Sequence, residues 1–290
     1  MNNKPVLFLD SGIGGFLYCM DFIKKNPHEE TCYLADRERF PYGQRTKEDL
    51  SSILITLTEK MLKLFDPKII VLACNTATVS AIDSLRRTFP QIPFIGTVPA
   101  IKPAAAQSKK RKIGVLGTQR TIEDPYLQRS FQHLQRSLED NLNIDKEAHS
   151  EIIGIAAPEL VEFVENCFDD AGENEKNAIV KKYINLFIDE GVDCLVLGCT
   201  HFLYLLDEFK KESAPSIAVF DSLDGITRRI EYFLDEESGG ALRAEENFRP
   251  SHQLILTGTH PPESSWQKRA NCFNSGDSPC FKLSLLQHTR

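Results

Sequence analysis

Short apolar runs rich in β-branched residues recur along the chain and alternate with segments long enough to be helices. These runs are Val6–Leu9, Ile69–Ala73, Phe94–Gly96, Ile113–Leu116, Cys194–Leu197 and Ile217–Phe220. Apolar runs of this length are typical of strands that are buried on both faces of a parallel sheet. Between them, Thr46–Leu64 and Ala178–Glu190 place apolar residues three and four positions apart, which indicates amphipathic helices. The alternation predicts an α/β fold with mainly parallel sheets.

The chain repeats one pair of turns in the same order. In the first half, residues 6–15 (VLFLDSGIGG) are followed by residues 69–78 (IIVLACNTAT), and in the second half residues 113–121 (IGVLGTQRT) are followed by residues 194–201 (CLVLGCTH). Each half therefore has one strand that ends in a small polar turn and a later strand that ends in a turn centred on a cysteine. Two similar α/β domains would explain this order, and a chance likeness between short strand–turn units is the alternative.

Two segments lack this pattern. Val98–Lys112 contains two prolines and four alanines before a basic run, and we interpret it as a connector. From about Ser238 onward glycine, proline, serine and histidine accumulate, and only Gln253–Gly258 is interpreted as a further strand.

The composition limits the partners that the protein can have. The 290 residues include 34 basic and 41 acidic side chains, a net charge of −7, whereas nucleic-acid binding requires a basic face. Eight cysteines with no CxxC pair argue against both a disulfide scaffold and a zinc site. No apolar stretch approaches the roughly 18 residues of a membrane helix, and Asp10 interrupts the N-terminal apolar run. We therefore expect a cytoplasmic protein with reduced thiols, no metal, no nucleic-acid partner and no membrane attachment.

Two of the cysteines occupy positions suited to chemistry. Cys74 and Cys199 each follow a predicted strand and precede a predicted helix, on the side where α/β proteins bind ligands. The N–H groups and the dipole of a helix N-terminus can lower a thiol pKa from about 8.5 towards neutrality, and they also suit a substrate carboxylate. A small buried hydrophobe is the alternative for either cysteine, but the two matching contexts favour a function.

The first turn, Asp10-Ser11-Gly12-Ile13-Gly14-Gly15, contains three glycines that permit close backbone approach. Its spacing differs from the G-x-G-x-x-G of a dinucleotide loop, and it lacks the Lys-Ser/Thr of a phosphate loop. Asp10 is suited to orient an ammonium group or to assist a base, and a plain glycine-rich turn capped by Asp10 or Ser11 is the equal alternative. Further on, Pro41-Tyr42-Gly43 would form a rigid turn that presents a phenol, either to a site or on a surface loop.

Together, and in this order, the motifs resemble those of the glutamate racemases, a branch of the cofactor-independent aspartate/glutamate racemase family. The matching segments are Asp10–Gly15, Pro41-Tyr42-Gly43 after Ala35-Asp36, Ala73–Thr78, Gly114–Thr121, Ile152–Glu165, Gly198–His201 and Asp221-Ser222. The resemblance covers about Lys4–Leu234, with a weaker match near Leu254–Gly258, and the Pro-Tyr-Gly turn favours the glutamate branch. Two departures, Phe202-Leu203 where the family usually has Tyr-Pro and the bulky Phe16–Cys19 after the glycines, remove no catalytic group.

The resemblance implies two similar domains, each a mainly parallel sheet flanked by helices, with the active site in the cleft between them. The first domain would comprise residues 1–98 and about 212–290, and the second residues 99–211. It further implies an isomerase that interconverts L- and D-glutamate without a cofactor, forms a homodimer and supplies D-glutamate for peptidoglycan, and so for the cell wall and cell shape. A racemase for another acidic amino acid, such as aspartate, and a catalytically weak amino-acid-binding protein remain alternatives.

The resemblance also implies roles for individual residues. Cys74 and Cys199 would act as acid and base on opposite faces of the α-carbon, each serving one enantiomer. Asp10, Glu165 and His201 would tune the two thiols. The residues that would hold the substrate's two carboxylates and its ammonium group are Asp10, Ser11, Pro41, Tyr42, Gly43, Asn75, Thr76, Thr118, Thr121, Thr200 and His201. These roles agree with the chemistry of racemisation, which removes a proton from one face and delivers a proton to the other.

Overall fold

The computed structural model describes residues 2–125, 127, 129, 151–258, 266, 268 and 281–286, and its contacts divide the chain into two compact units. The first unit runs to Thr97 and resumes at Leu223, and the second is Val98–Ser222. The first boundary between the units, Thr97/Val98, lies beside the boundary 98/99 expected from the sequence. The second, Ser222/Leu223, lies beyond the expected boundary 211/212. The strand Ala218–Phe220 explains this difference, because it pairs with residues 194–196 in the sheet of the second unit.

Strands and helices alternate along most of the described chain. The strands are β1 (Val6–Asp10), β2 (Thr31–Ala35), β3 (Ile69–Leu72), β4 (Phe94–Gly96), β5 (Lys112–Gly117), β6 (Glu151–Ala156), β7 (Cys194–Gly198), β8 (Ala218–Phe220), β9 (His252–Thr257) and β10 (Phe281–Leu286). The α-helices are α1 (Phe16–Lys25), α2 (Lys47–Phe65), α3 (Asn75–Thr88), α4 (Ile101–Gln107), α5 (Gln119–Glu123), α6 (Pro158–Asn166), α7 (Glu173–Asp189), α8 (Leu206–Ser213) and α9 (Leu223–Tyr232). Short 3₁₀-helices span Arg37–Arg39, Tyr42–Gln44 and Thr200–Leu205, and a π-helical turn spans Phe233–Glu237.

The sheet of the first unit is parallel throughout, in the order β10-β9-β2-β1-β3-β4. All five residues of β1 are buried, as expected for an apolar strand that is covered on both faces. On one face, α2 begins after Thr46, whose hydroxyl accepts a hydrogen bond from the backbone N–H of Asp49 at 3.2 Å. The helix then packs Leu50, Leu54 and Leu57 into the buried apolar cluster beneath it.

The second unit repeats this arrangement with a four-stranded parallel sheet in the order β6-β5-β7-β8. Here β5 lies between β6 and β7, as β1 lies between β2 and β3, and β8 follows β7 as β4 follows β3. The shared strand order confirms the prediction of two similar α/β domains. In each unit the strand with the polar turn and the strand with the cysteine turn are parallel neighbours, so their carboxyl ends meet at one edge of the sheet.

The structure differs from the sequence-based expectation in a few elements. Val98–Lys112 is not a plain connector, because it contains α4, which buries Ile101 and Ala104 against the core of the second unit. Its seven residues are too few to show a helical period. The strands β2, β6 and β10 were not predicted. None of the helices in the described part of the chain is long and apolar enough to cross a membrane.

Candidate active site

Cys74 lies between the end of β3 and the start of α3, as the sequence predicts. It occupies the N-cap position of α3, and it is 7% exposed. Asn75 and Thr76 open this helix and are also buried. The first N–H groups of a helix have no partner within the helix, and they carry the positive end of its dipole. This position therefore places a thiol beside donors for an anion.

The side-chain amide of Asn75 is unusual because neither its oxygen nor its nitrogen has a hydrogen-bond partner among the described residues, although the residue is only 3% exposed. Each buried polar atom left in this state costs on the order of 1–3 kcal/mol. A ligand that supplies the missing partners would remove the cost. An α-amino acid offers both, since its carboxylate can accept from Nδ2 and its ammonium group can donate to Oδ1.

Asp10 ends β1 and is fully buried. One carboxylate oxygen accepts from the backbone N–H of Ser11 and the other from the backbone N–H of Gly15, both at 2.6 Å. The side chain thus closes the glycine-rich turn, whatever else it does. A Cβ on Gly15 would lie 2.6 Å from the Cβ of Ala73, so the turn can pack against the segment that leads to Cys74 only because residue 15 has no side chain.

Tyr42 is the buried centre of the Pro41-Tyr42-Gly43 turn, whose flanking residues are half-buried. Its hydroxyl donates to Oδ2 of the fully buried Asp36 at 2.8 Å. Burial raises the pKa of Tyr42 well above its usual value, and the charge and hydrogen bond of Asp36 raise it further. The charges of Cys74 and Asp10 raise this pKa in the same direction, and Tyr42 belongs to the same buried apolar cluster as Cys74. Its proton is committed to Asp36, which leaves the phenol oxygen to act as an acceptor.

Cys199 takes the corresponding position in the second unit, after β7 and before the 3₁₀-helix Thr200–Leu205, and it is 5% exposed. Nδ1 of His201 lies 3.7 Å from the Sγ atom of Cys199, and Nε2 lies 2.6 Å from Oε1 of Glu165 on α6. Burial alone would lower the pKa of His201, but the hydrogen bonds and charges of Cys199 and Glu165 outweigh it and raise this pKa well above its usual value. A protonated imidazole beside a thiol favours the thiolate.

The other predicted residues of the second unit lie at the same edge of its sheet. Thr118 caps α5, since its Oγ1 accepts from the backbone N–H of Thr121 at 3.3 Å and lies 3.0 Å from the hydroxyl oxygen of Thr121. Thr200 is buried at the start of the 3₁₀-helix. Each unit therefore presents its own group of predicted site residues at the carboxyl edge of its sheet.

Two buried residues of the hydrogen-bond network at Tyr42 were not assigned a role from the sequence. One is Asp36, and the other is Thr257 on β9, whose hydroxyl donates to Oδ1 of Asp36 at 2.8 Å. Asp36 precedes the Pro-Tyr-Gly turn by only a few residues, and this proximity could have indicated that Asp36 contacts Tyr42. Thr257 lies 221 residues further along the chain, in the predicted strand Gln253–Gly258, and nothing in the sequence linked it to Asp36, because only the pairing of β9 with β2 brings it near.

The other six cysteines of the chain differ in their surroundings. Cys19, Cys32 and Cys194 are buried, as predicted. Cys167 is exposed rather than in the core, because it stands directly after the last residue of α6, where the chain leaves the packed face of that helix. Cys272 and Cys280 lie outside the described residues. Within the ranges that the structure describes, no group of three His, Cys, Asp or Glu side chains is arranged to hold a metal ion.

Comparison with known proteins agrees with this geometry. The family model described as Asp/Glu/Hydantoin racemase matches residues 23–229 of the chain. The chain belongs to this family. A glutamate racemase from Roseiflexus sp. is 30% identical to this racemase over 280 residues, which are 97% of this chain and 94% of the relative. A glutamate racemase from Bartonella bacilliformis is 34% identical over 239 residues, which are 81% of this chain and 83% of the relative.

Solved racemase structures have the same fold. A glutamate racemase isoform from Bacillus anthracis superposes with a TM-score of 0.76 at 28% identity, covering 98% of both chains. Escherichia coli glutamate racemase, solved in complex with L-glutamate and the activator UDP-MurNAc-Ala, gives a TM-score of 0.75 at 23% identity over 98% of both chains, and this likeness concerns the fold. The protein is an amino-acid racemase, an enzyme of the isomerase class.

Proposed function

We propose that this racemase interconverts L- and D-glutamate by proton transfer between two cysteines, without a cofactor. The observation that carries the proposal is that each unit has a buried cysteine in the corresponding position. Cys74 follows β3, the neighbour of β1, and Cys199 follows β7, the neighbour of β5, and a helix begins directly after each cysteine. The choice of glutamate is supported by the names of the curated relatives, which are glutamate racemases.

In each direction one cysteine acts as a thiolate and removes the α-proton, so that an S–H bond forms as the Cα–H bond breaks. The other cysteine is a thiol and delivers its proton to the opposite face, so that a new Cα–H bond forms and its sulfur becomes the thiolate. Cys74 would serve one enantiomer and Cys199 the other. His201, held by Glu165, would stabilise the thiolate of Cys199, and Asp10 would tune Cys74.

Because the α-proton of an amino acid is weakly acidic, the charge that develops on the α-carboxylate needs preorganised donors. The start of α3 supplies such donors, and the unpaired amide of Asn75 suits the α-carboxylate and the ammonium group together. Tyr42 suits the ammonium group, because its phenol oxygen can only accept. The other proposed contacts of the substrate are Asp10, Ser11, Pro41, Gly43, Thr76, Thr118, Thr121, Thr200 and His201.

The substrate carries two carboxylates, whereas the chain has a net charge of −7. Long-range attraction therefore cannot gather the substrate, and local dipoles and hydroxyl groups must hold it. We further propose that the enzyme acts in the cytoplasm as a homodimer and supplies D-glutamate for peptidoglycan, and so for the cell wall and cell shape.

Proton exchange in deuterated water tests the reaction. The wild-type enzyme is expected to exchange the α-proton of both L- and D-glutamate, measured by proton NMR, and to convert each enantiomer into the other, measured by circular dichroism. Cys74→Ser and Cys199→Ser each remove one acid–base group and should slow racemisation at least about a hundredfold. Cys194→Ser is the matched control, because it changes a buried thiol at the opposite end of β7 and should leave the rate close to that of the wild type.

The outcomes separate the parts of the proposal. If the wild type exchanges the α-proton of neither enantiomer, racemisation of glutamate is wrong. If both cysteine variants racemise normally, the two-thiol mechanism is wrong although the activity stands. Aspartate in the same assay tests the substrate, and faster exchange with aspartate than with glutamate would reassign it.

A further inference from the structure

Asp36 collects three hydrogen bonds in the interior of the first unit. Its Oδ2 accepts from the hydroxyl of Tyr42 at 2.8 Å, and its Oδ1 accepts from the hydroxyl of Thr257 at 2.8 Å and from Nη1 of Arg39 at 2.9 Å. Asp36 has no exposed surface, and Tyr42 and Thr257 are each 1% exposed. A buried carboxylate with donors on both oxygens has a fixed orientation, because any rotation would break hydrogen bonds that water cannot replace.

Thr257 is the member of this cluster that comes from a distant part of the chain. It is the last residue of β9, and in the register of the sheet Leu256 lies opposite Ala35, the residue before Asp36. The hydroxyl of Thr257 accepts from the backbone N–H of Glu38 at 3.2 Å while it donates to Asp36. Since donor and acceptor are both engaged, this hydroxyl has one orientation.

The cluster reaches the reactive end of the unit through Tyr42, which packs in the same buried apolar cluster as Cys74. We propose that Thr257 is a positioning residue for the Cys74 part of the site, because through Asp36 it fixes the hydroxyl of Tyr42 that receives the ammonium group of the substrate. The proposal rests on the proposed function for its substrate. It extends the site to the last residue of β9, near the C-terminal end of the described chain.

The effect of Thr257 on the kinetic constants depends on whether Tyr42 contacts the substrate before proton transfer, during it, or both. A hydrogen bond that holds the substrate both before and during proton transfer contributes equally to the ground state and to the transition state, so its loss changes KM and not kcat. Thr257→Val keeps the shape of the side chain and removes the hydroxyl. We expect it to raise KM for both enantiomers about tenfold with kcat within about twofold of the wild type. Thr257→Ser restores the hydroxyl and should restore KM.

A matched control tests whether any buried threonine would give this result. Thr31 is as buried as Thr257, and its hydroxyl pairs with Nδ1 of His252 at 2.9 Å, at the opposite end of the same pair of strands. Thr31→Val should therefore lower the free energy of unfolding in a similar way but leave KM unchanged.

A measurement that needs no activity tests the link to Tyr42 directly. In protein labelled at the 13Cζ of tyrosine, the resonance of Tyr42 is identified among seven tyrosines by its loss in Tyr42→Phe. We expect Thr257→Val to shift this resonance, and Thr257→Ser and Thr31→Val to leave it in place. An unshifted resonance in Thr257→Val overturns the positioning link, whatever the substrate of the enzyme is.

A double-variant cycle completes the test. On the background of Tyr42→Phe, Thr257→Val should raise KM by less than about twofold, because the group that it positions is already gone. A further tenfold rise on this background would show that Thr257 acts by another route and would overturn the proposal. Failure of the proposed function is recognised separately, because the wild type would then exchange no α-proton from glutamate. The shift of the Tyr42 resonance would still decide whether Thr257 positions Tyr42.

Discussion

Nε2 of His201 lies 2.6 Å from Oε1 of Glu165, while the other ring nitrogen faces the sulfur of Cys199 at 3.7 Å. A carboxylate, an imidazole and a thiol thus form a chain of contacts in the second unit. In the first unit the strand beside Cys74 ends instead in Asp10, whose two carboxylate oxygens accept from backbone N–H groups. The two thiols therefore have different electrostatic partners, a cation beside one and a carboxylate near the other.

Replacing Glu165 tests whether the contacts between Glu165, His201 and Cys199 contribute to catalysis. Glu165→Gln removes a charge that helps to keep the pKa of His201 high, so the imidazole that faces the sulfur of Cys199 is less often protonated and offers that sulfur less positive charge. We expect kcat/KM for racemisation to fall about tenfold and the alkaline limb of the pH profile, on which His201 loses its proton, to shift to lower pH. The fall should be equal from L- and from D-glutamate, because the equilibrium constant of a racemisation is one. Circular dichroism from both enantiomers over a range of pH measures it.

A second glutamate on α6 provides the control. Glu159 pairs with Lys182 at 2.6 Å, and its side chain is 46% exposed. Glu159→Gln should therefore keep kcat/KM and the pH profile. If the two variants behave alike, or if the profile of Glu165→Gln does not move, the contact with His201 has no part in catalysis.

His201 should also make the stability depend on pH. Its pKa in the folded protein is raised above the ordinary 6.5, so the folded state holds the proton more tightly than the unfolded state does. The stabilisation from its charged contacts is complete below about pH 6.5 and is lost as the pH rises through the folded pKa. Urea unfolding at about pH 6 and about pH 9 should show that the wild type loses more stability over this interval than His201→Asn does. An equal loss in both proteins would contradict the raised pKa.

The glycine-rich turn should tolerate no side chain at residue 15. A Cβ there would meet Ala73 at 2.6 Å and Oδ2 of Asp10 at 3.0 Å, and Ala73 directly precedes Cys74. Gly15→Ala is expected to lower the free energy of unfolding by about 1–3 kcal/mol, measured by urea denaturation, and to reduce racemisation by displacing the thiol. Gly225→Ala on α9 meets no atom within 4 Å and should be neutral or stabilising by up to about 1 kcal/mol. Equal stability of the two variants would show that the glycine-rich turn can shift away from Ala73 to make room for the added Cβ.

The sequence indicated the parts of the fold that rest on local pattern. The strands β1, β3, β4, β5, β7 and β8 are continuous apolar runs, and α2 shows both its cap and its apolar stripe. The edge strand β6 was missed although its sequence, EIIGIA, contains three isoleucines, and all its residues are half-buried or exposed. β10 is also an edge strand, and three of its six residues are exposed. Their place in the sheets depends on pairing with distant strands, which no local pattern records.

The same division applies to the site. Cys74, Cys199 and Asp10 could be predicted because each stands at a strand end, a position that the sequence itself reveals. The contact between His201 and Glu165 depends on how α6 packs against the 3₁₀-helix, so the residues alone suggested neither partner for the other, and only the resemblance implied that both act on the thiols. The strand that holds Thr257 was predicted, but the role proposed for Thr257 was not, because its contact with Asp36 arises from the pairing of β9 with β2.

Lys68 and Glu29 form a buried ion pair at the end of the first sheet opposite to Cys74. Nζ of Lys68 lies 2.5 Å from Oε2 of Glu29, and their side chains are 0% and 3% exposed. Lys68 also donates to the backbone oxygen of Asn2 at 2.7 Å, and Glu29 accepts from the backbone N–H of Ala244 at 3.1 Å. Lys68→Met would leave the buried charge of Glu29 with only the more distant Arg243, whose Nη1 lies 3.7 Å from Oε1, so we expect a loss of up to about 3–5 kcal/mol in the free energy of unfolding. Combining it with Glu29→Leu should recover most of that loss, because no buried charge is then left unpaired.

Urea denaturation of the two single variants and the double variant measures this coupling. Lys211 provides the control, because its pair with Glu173 leaves both side chains more than half exposed, and solvent screens such a pair. Lys211→Met should therefore give no measurable change in stability. A double variant that is as unstable as the sum of its single changes would contradict the prediction, since it would mean that the cost of Lys68→Met lies in lost packing of the lysine stem and not in the charge that it leaves on Glu29.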